Sequence, residues 1–273
     1  MSYVDDLFGM KGRVAVVTGA GGAIAGVIAE AYLRAGAKVA LWLHRREGLD
    51  AVRERFAAFA QEPDSVLALA CDAGDHGAVE AAYDETAAAL GHPHLLLNGV
   101  GGNRGKSAFV EADLGVFDEV LRLNLLAGLV VPTQVFAARW MAAGLRGRSI
   151  INMTSMGSYI PLSGVWAYNA AKAAVLNLTA ACAKEFGPAG IRVNAIAPGF
   201  FLGQQNFSLL IANRETGELT PRGKDVIGRT PFARFGQLEE LRGAALFLAS
   251  EEAAGFVTGI SLPVDGGFLT DNI

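Results

Sequence analysis

A strand, a glycine-rich turn and a helix follow one another without a gap near the start of this chain, and no other feature narrows its possible folds as much. Arg13-Val14-Ala15-Val16-Val17-Thr18 is an apolar run of buried-strand type. Gly19-Ala20-Gly21-Gly22-Ala23-Ile24-Ala25-Gly26 comes directly after it, and an apolar-periodic segment continues to Ala35. Gly36-Ala37-Lys38-Val39-Ala40-Leu41-Trp42-Leu43 supplies a second strand, completing a βαβ unit of the length a crossover needs. Backbone amides at such a turn can approach a pyrophosphate without Cβ clashes, and the helix N-terminus adds favourable partial charge. Gly19, Gly21, Gly22, Ala23 and Ile24 are the candidates for that contact.

The same alternation continues. Ser65 to Asp72 reads as a third strand ending in an acid, which makes Asp72, with its neighbour Ala73, the candidate for the adenine edge; the other reading of Asp72 is a helix N-cap. His94 to Asn103 is a fourth strand running into a second glycine-rich exit, where Asn98 and Gly99 would face a nucleotide or serve the structure. A helical region from Asp113 to Ala143 carries Asn124 among leucines, where a polar amide must find partners. Ser149 to Met153 is a fifth strand, and Ile191 to Ala197 a sixth that ends at Pro198-Gly199-Phe200-Phe201. Regularity lapses between Leu202 and Thr230, where Arg214, Glu215, Arg222 and Lys224 stand among apolar residues, as in a substrate lid. A helix (Leu238 to Ser250) and a strand (Gly259 to Val264) close the pattern. Strands alternating with helices, without internal repeat or linker, predict an α/β fold. The expected architecture is a single Rossmann-like domain over residues 1–273, a doubly wound parallel sheet of six to seven strands with helices on both faces and a lid at about 200–230.

At the end of the second strand, a dinucleotide fold that prefers NAD places an Asp or Glu against the ribose hydroxyls. Here the tip reads Leu43-His44-Arg45-Arg46 and offers no acid. His44 and Arg45 could neutralise a 2′-phosphate, so NADP is the expected cofactor ahead of NAD. Arg46 reads equally well as the solvated start of a helix from Glu47 to Gln61.

The chemistry is concentrated between Ser155 and Lys172. Ser155 lies at the exit of the fifth strand, and Tyr168 and Lys172 stand four residues apart at the start of an Ala-rich run, on one face of a helix. A phenol is a useful acid or base when its pKa falls toward neutrality, which a nearby ammonium would promote at a cost of roughly 4 kcal/mol of preferential phenolate stabilisation. Ser155 would hold the substrate oxygen. Proton transfer to or from an alcohol oxygen is the reaction this arrangement suggests.

Composition excludes several other functions. Among 273 residues, 52% are hydrophobic and 18% charged, which describes a folded α/β protein rather than a disordered one. A net charge of -4 gives no electrostatic footprint for nucleic acid or an anionic membrane. The start of the sequence lacks the pattern of a signal peptide, and the apolar stretch Leu125 to Leu145 is interrupted by Pro132, Gln134 and Arg139, so a cytoplasmic protein is expected. Cys71 and Cys182 read as isolated core residues, and His92-Pro93-His94 as a turn without metal partners.

Taken together, these residues resemble the short-chain dehydrogenase/reductase family from Val14 to Phe268. The resemblance implies a catalytic tetrad of Asn124, Ser155, Tyr168 and Lys172. Tyr168 would be the acid/base, and Ser155 would orient the carbonyl. Lys172 would bind the nicotinamide ribose and depress the Tyr168 pKa, and Asn124 would hold a water in a proton relay. It also implies that Thr18 to Ala25 form the glycine turn, that Asp72 meets the adenine, and that Pro198, Gly199 and Phe201 lie on the nicotinamide side. Three departures stand out. Ala23 and Ala25 replace the second and third glycines of the turn, with Gly21-Gly22 available to substitute; Gly203 replaces a threonine; and no acid follows Leu43.

Within the family, Asn98 to Asn103, Pro198 to Phe201 with Gln205-Asn206, Thr230-Pro231 with Arg234 to Gly236, and Pro263 to Phe268 are similar to the mannonate oxidoreductase (fructuronate reductase) branch. That branch implies a sugar-acid substrate, with Arg104, Lys106 or Arg214 open as partners for its carboxylate, and an NAD linkage at odds with His44-Arg45. The expected activity is hydride transfer between NAD(P) and a hydroxylated small molecule, a sugar acid or polyol. A 3-oxoacyl thioester reductase and a catalytically silent nucleotide-binding scaffold are the alternatives. Ala/Leu-rich helices too apolar for one buried stripe imply a homodimer or homotetramer.

Overall fold

The computed structural model describes residues 2–203 and 207–270. One wholly parallel sheet is built from β1 (Val14–Thr18), β2 (Lys38–Leu43), β3 (Val66–Ala70), β4 (Leu95–Asn98), β5 (Arg148–Met153), β6 (Ile191–Pro198) and β7 (Ser261–Val264). The strands lie in the order β3-β2-β1-β4-β5-β6-β7, so the winding reverses between β1 and β4. In open α/β sheets the crevice at such a reversal is where ligands bind.

The helices are α1 (Tyr3–Phe8), α2 (Ala23–Arg34), α3 (Leu49–Ala57), α4 (His76–Leu90), α5 (Leu114–Leu121), α6 (Val131–Ala142), α7 (Trp166–Phe186), α8 (Phe207–Leu210), α9 (Pro221–Gly228), α10 (Leu241–Ala249) and α11 (Glu251–Ala254). Because the sheet is covered on both faces, its strands are apolar at nearly every position rather than at alternate ones. Ala15 and Val17 of β1 point into a core with Ile28, Tyr32 and Leu33 of α2 and Leu241 of α10. Val14 and Val16 point the other way, onto Trp42, Tyr83, Phe136 and Trp140. The doubly wound fold expected from the alternation is the fold observed.

The local differences have physical causes. The helical region read as Asp113 to Ala143 breaks into α5, a π-helical stretch Arg122–Val130, and α6. Pro132 at the start of α6 has no N–H to donate, and the Asn124 side chain donates to the Val120 carbonyl at 2.9 Å, so the regular ladder is interrupted where these residues sit. The helix expected from Glu47 to Gln61 is only Leu49–Ala57, since Gly48 before it has a left-handed φ of 82°. A short first helix not foreseen in the sequence is capped by Ser2, whose hydroxyl accepts from the Asp5 amide. His94 serves the frame: its Nδ1 accepts from the Val14 amide at 3.1 Å, and burial with Arg148 nearby holds its pKa down at about 4.

Candidate active site

The exits of β1 and β4 meet at the reversal of the winding. Gly19 has φ +64°, and a Cβ there would lie 3.0 Å from the Gly99 carbonyl. The Thr18 hydroxyl accepts from the Gly99 amide at 3.0 Å and locks the two exits together. A Cβ on Gly99 would come within 2.5 Å of the Thr18 oxygen and 2.7 Å of the Ala25 methyl. Gly99, across the crevice, therefore makes room for Ala25 of the altered glycine turn. Gly22 precedes α2 with no side-chain cap, so the first amides of the helix remain available to an anion.

These exits form one wall of a cleft of about 1580 Å³, which also takes in Ser155, Tyr168 and Lys172. At its catalytic end, the β5 exit is tied to α7 by three contacts. The Ser158 hydroxyl donates to the Lys172 carbonyl at 2.7 Å, and the Asn169 amide donates to the Leu162 carbonyl at 2.8 Å and accepts from the Leu162 amide at 3.3 Å. The backbone before Tyr168 is thereby held against the helix that carries it. Ser155 is buried beside Tyr168, its hydroxyl accepts from the Gly157 amide at 3.2 Å, and its proximity lowers the phenol pKa; burial is the larger effect and pushes that pKa up.

Lys172 is buried as well, with its pKa lowered by burial to about 8. Its Nζ donates to the Met153 carbonyl at 2.7 Å and lies 5.8 Å from the Tyr168 ring centre. The expected depression of the Tyr168 pKa by Lys172 is thus not seen in this geometry. The ammonium is engaged with backbone, and burial holds the phenol pKa above its ordinary value.

Asn124, expected at a water relay, is held by the protein backbone. Its Nδ2 donates to the Gly102 and Val120 carbonyls, at 2.6 and 2.9 Å, and its Oδ1 accepts from the Gly102 amide at 3.0 Å. It clamps the β4 exit, and a Cβ on Gly101 would stand 2.9 Å from its Oδ1 and 3.3 Å from Lys172 Nζ. Asn98, read as a cofactor contact, is fully buried. Its amide donates to Thr133 and Asn152, at 3.0 and 2.8 Å, and Asn152 in turn donates to Thr179 at 3.0 Å. This polar row crosses from α6 through β4 and β5 to α7, beneath the cleft floor. Asn98 is part of the frame; Gly99 is the residue that faces the crevice.

The other residues singled out in the sequence fall where a dinucleotide would run. Ala23, Ile24, His44, Asp72, Ala73, Pro198, Gly199 and Phe201 line the cleft. Asp72 is not a helix cap: Asp75 caps α4 through the Ala78 amide, while Asp72 holds the Gly74 amide at 2.9 Å. A Cβ on Gly199 would lie 2.6 Å from Asp265 Cα, which explains the glycine where β6 passes β7. Arg45 does not line the cleft, but Arg55 of α3 does, with its guanidinium 5.3 Å from the Phe56 ring centre. Arg55 was hidden in the sequence because it belongs to a helix that looked merely solvated. Gln205 and Asn206 lie outside the described residues, among which no group of three metal-ligating side chains occurs.

A cleft at the reversal of the winding, walled by glycines at positions 19, 99 and 101 where added Cβ atoms would crowd neighbouring protein atoms, and opening onto a Ser-Tyr-Lys cluster, defines a nicotinamide-dependent oxidoreductase acting on CH–OH groups. The comparisons agree. A family profile described as enoyl-(acyl carrier protein) reductase matches residues 19–269, and the chain belongs to the short-chain dehydrogenase/reductase family. An uncharacterized oxidoreductase of Bacillus subtilis, UxuB, is 38% identical over 95% of this chain and 96% of its own. A Haemophilus influenzae protein provisionally assigned as a D-mannonate oxidoreductase, solved with NAD bound, superposes with a TM-score of 0.89 at 32% identity, covering 99% of each chain. A gluconate 5-dehydrogenase of Burkholderia cenocepacia, solved with NADP and tartrate, gives 0.86 at 30% identity, covering 98% of this chain and 99% of that one. The cofactor is NAD or NADP.

Proposed function

We propose that the protein is an NADP-preferring dehydrogenase/reductase of hydroxylated acids or polyols, of the mannonate or gluconate type. The observation that carries this reading is the convergence of Ser155, Tyr168 and Lys172 at the catalytic end of a glycine-walled cleft. When bound, the cofactor supplies or accepts the hydride. Tyr168 Oη exchanges the proton with the substrate oxygen, and Ser155 Oγ holds that oxygen in line. Lys172, buried and cationic below about pH 8, faces the ribose and stabilises phenolate once substrate displaces its present contacts. Asn124 fixes the Gly101-Gly102 backbone that shapes the site.

His44 and Arg55 support the NADP preference, since both line the cleft and neither is ion-paired to an acid among the described residues; Arg45, outside the lining, adds nothing to it. The relative solved with NAD supports the other cofactor. The segment after β6, with α8 and α9, acts as the substrate lid of a single domain. Exposed apolar side chains on α5 and α6, among them Leu114, Val116 and Met141, support a homodimer or homotetramer. Two free cysteines support a reducing, cytoplasmic setting.

Titrating the protein with NADPH and NADH, and assaying wild type and Tyr168→Phe on keto sugar acids, polyols and a 3-oxoacyl thioester, tests the reading. NADPH should bind several-fold tighter, with turnover on the sugar acids lost in the variant. Tighter NADH binding would remove the basic cluster from cofactor choice. Preference for the thioester would favour the 3-oxoacyl thioester reductase alternative, and turnover unchanged in Tyr168→Phe would sink the mechanism.

A further inference from the structure

The cleft wall carries more cations than the proton chemistry uses, and most of them already have partners. Arg104 bonds Glu119 at 3.0 Å and Arg122 bonds Asp118 at 2.7 Å. Arg214 stacks its guanidinium 4.7 Å from the Phe207 ring centre. Away from the tip of β2, where His44 and Arg55 stand, Lys106 and Arg222 line the cleft with no ion pair, hydrogen bond or ring contact among the described residues. They come from separate elements. Lys106 lies on the loop after β4, and Arg222 in the first turn of α9 in the lid.

The two are close enough to act on each other, since Arg222, together with partial burial, lowers the Lys106 pKa. Two like charges this close in a cleft are unfavourable unless an anion comes between them. Their placement is built, not incidental. The Lys106 side chain packs beside Gly164, whose added Cβ would meet it at 3.6 Å, and the Ser107 amide donates to the Gly164 carbonyl at 3.3 Å. Trp166 holds the same loop through its Nε1, which donates to the Ser107 carbonyl at 3.0 Å. Lys106 therefore rides on the segment that leads into Tyr168, at the catalytic end of the cleft and away from the pyrophosphate turn. Arg222 is fixed through α9: Thr220 caps that helix by accepting from the Gly223 amide at 3.0 Å and donates to the Leu209 carbonyl at 2.8 Å. A Cβ at Gly223 would strike the Leu210 carbonyl at 2.2 Å, so α9 sits directly on α8.

We propose that Lys106 and Arg222 form a two-cation clamp for the carboxylate of the substrate, selecting hydroxy acids over the corresponding neutral polyols. This deepens the sugar-acid reading and rests on it. Of the candidates open in the sequence, the ion pair of Arg104 and the ring stacking of Arg214 remove them, and Arg222 joins Lys106. The clamp also links substrate charge to lid position, because the carboxylate would draw α9 toward the loop after β4.

The test is calorimetric titration of D-gluconate, D-mannonate and sorbitol into the full-length wild type, Lys106→Met, Arg222→Met and the double variant, with thermal melts to verify folding. The aldonates should bind the wild type, lose about tenfold or more in affinity in each single variant and more in the double variant, and recover in part in Lys106→Arg. Sorbitol binding should not change across the series. Equal aldonate affinity in wild type and double variant, or aldonates binding the wild type no better than sorbitol, would overturn the clamp. A sugar phosphate included in the panel distinguishes the source of the anion: tighter binding of the phosphate than of both aldonates would overturn the carboxylate assignment. Turnover is followed in parallel with Tyr168→Phe. Aldonate binding that depends on both cations without turnover of any alcohol would keep the clamp and sink the oxidoreductase reading. Turnover abolished by Tyr168→Phe but indifferent to Lys106 and Arg222 would do the reverse.

Discussion

Lys172 carries opposing demands at one atom. Burial lowers its pKa from 10.5 to about 8, so below pH 8 the fold holds a charge it would rather release. Between those two values the unfolded chain binds more protons than the folded one, and stability contributed by this group rises with pH. Lys172→Met should therefore unfold at a higher temperature than the wild type at pH 7, by roughly 1–2 kcal/mol after subtracting the lost bond to Met153. The gap should close as pH rises from 8 toward 10.5, while turnover is abolished; a variant less stable than wild type at pH 7 would contradict this. Gly99 offers a second residue-scale prediction. Gly99→Ala should weaken cofactor binding and lower stability by about 1–3 kcal/mol, and Ala25→Gly in the same chain should restore only part, because the Thr18 carbonyl still blocks the new methyl. A double-mutant cycle in melting temperature and cofactor affinity measures that coupling. Ser155, Tyr168 and Lys172 were legible in the sequence because strand exit and helical spacing fix them with local information. The compensation between Ala25 and Gly99 was not, since it is a contact between two elements that spacing along the chain does not encode.

At the scale of elements, the π-helical stretch Arg122–Val130 governs the second glycine exit. Asn124 clamps that exit from one side, and a Cβ on Gly128 would stand 2.8 Å from the Val100 carbonyl on the other. Gly128→Ala should push the Val100 to Gly102 backbone outward, costing about 1–3 kcal/mol in denaturant midpoint and weakening cofactor affinity severalfold in a fluorescence titration. An unchanged affinity would show that the stretch does not set the exit. The strands were read to within a residue or two because their apolar runs are short and bounded by glycine or polar residues. The helical region from Asp113 to Ala143 was read as continuous, because its Leu and Ala content satisfies helical periodicity whatever the hydrogen-bond step; only the side-chain bond of Asn124 to Val120 and the missing N–H of Pro132 reveal the change.

For the molecule as a whole, no described helix is long and apolar enough to cross a membrane, and the two cores on the faces of the sheet share every central strand. A ligand seated at the β1-β4 crevice touches both halves of the winding and should stabilise them together. Cofactor at a hundredfold excess over its Kd should add about 2.7 kcal/mol, seen as an upward shift of a single thermal transition. Two transitions, of which only one moves, would show the halves to be independent. The winding order also carries a consequence in time. The bond from Gly99 to Thr18 spans 81 positions of the chain, and parallel pairing must close such long loops before any contact compensates their entropy. The first glycine turn exists as soon as β1, α2 and β2 have met, yet it has no opposite wall until β4 arrives. Nucleotide capture is then the last property a refolding chain regains, and in a stopped-flow experiment nicotinamide fluorescence should recover with the slowest phase, well after the helical signal has returned.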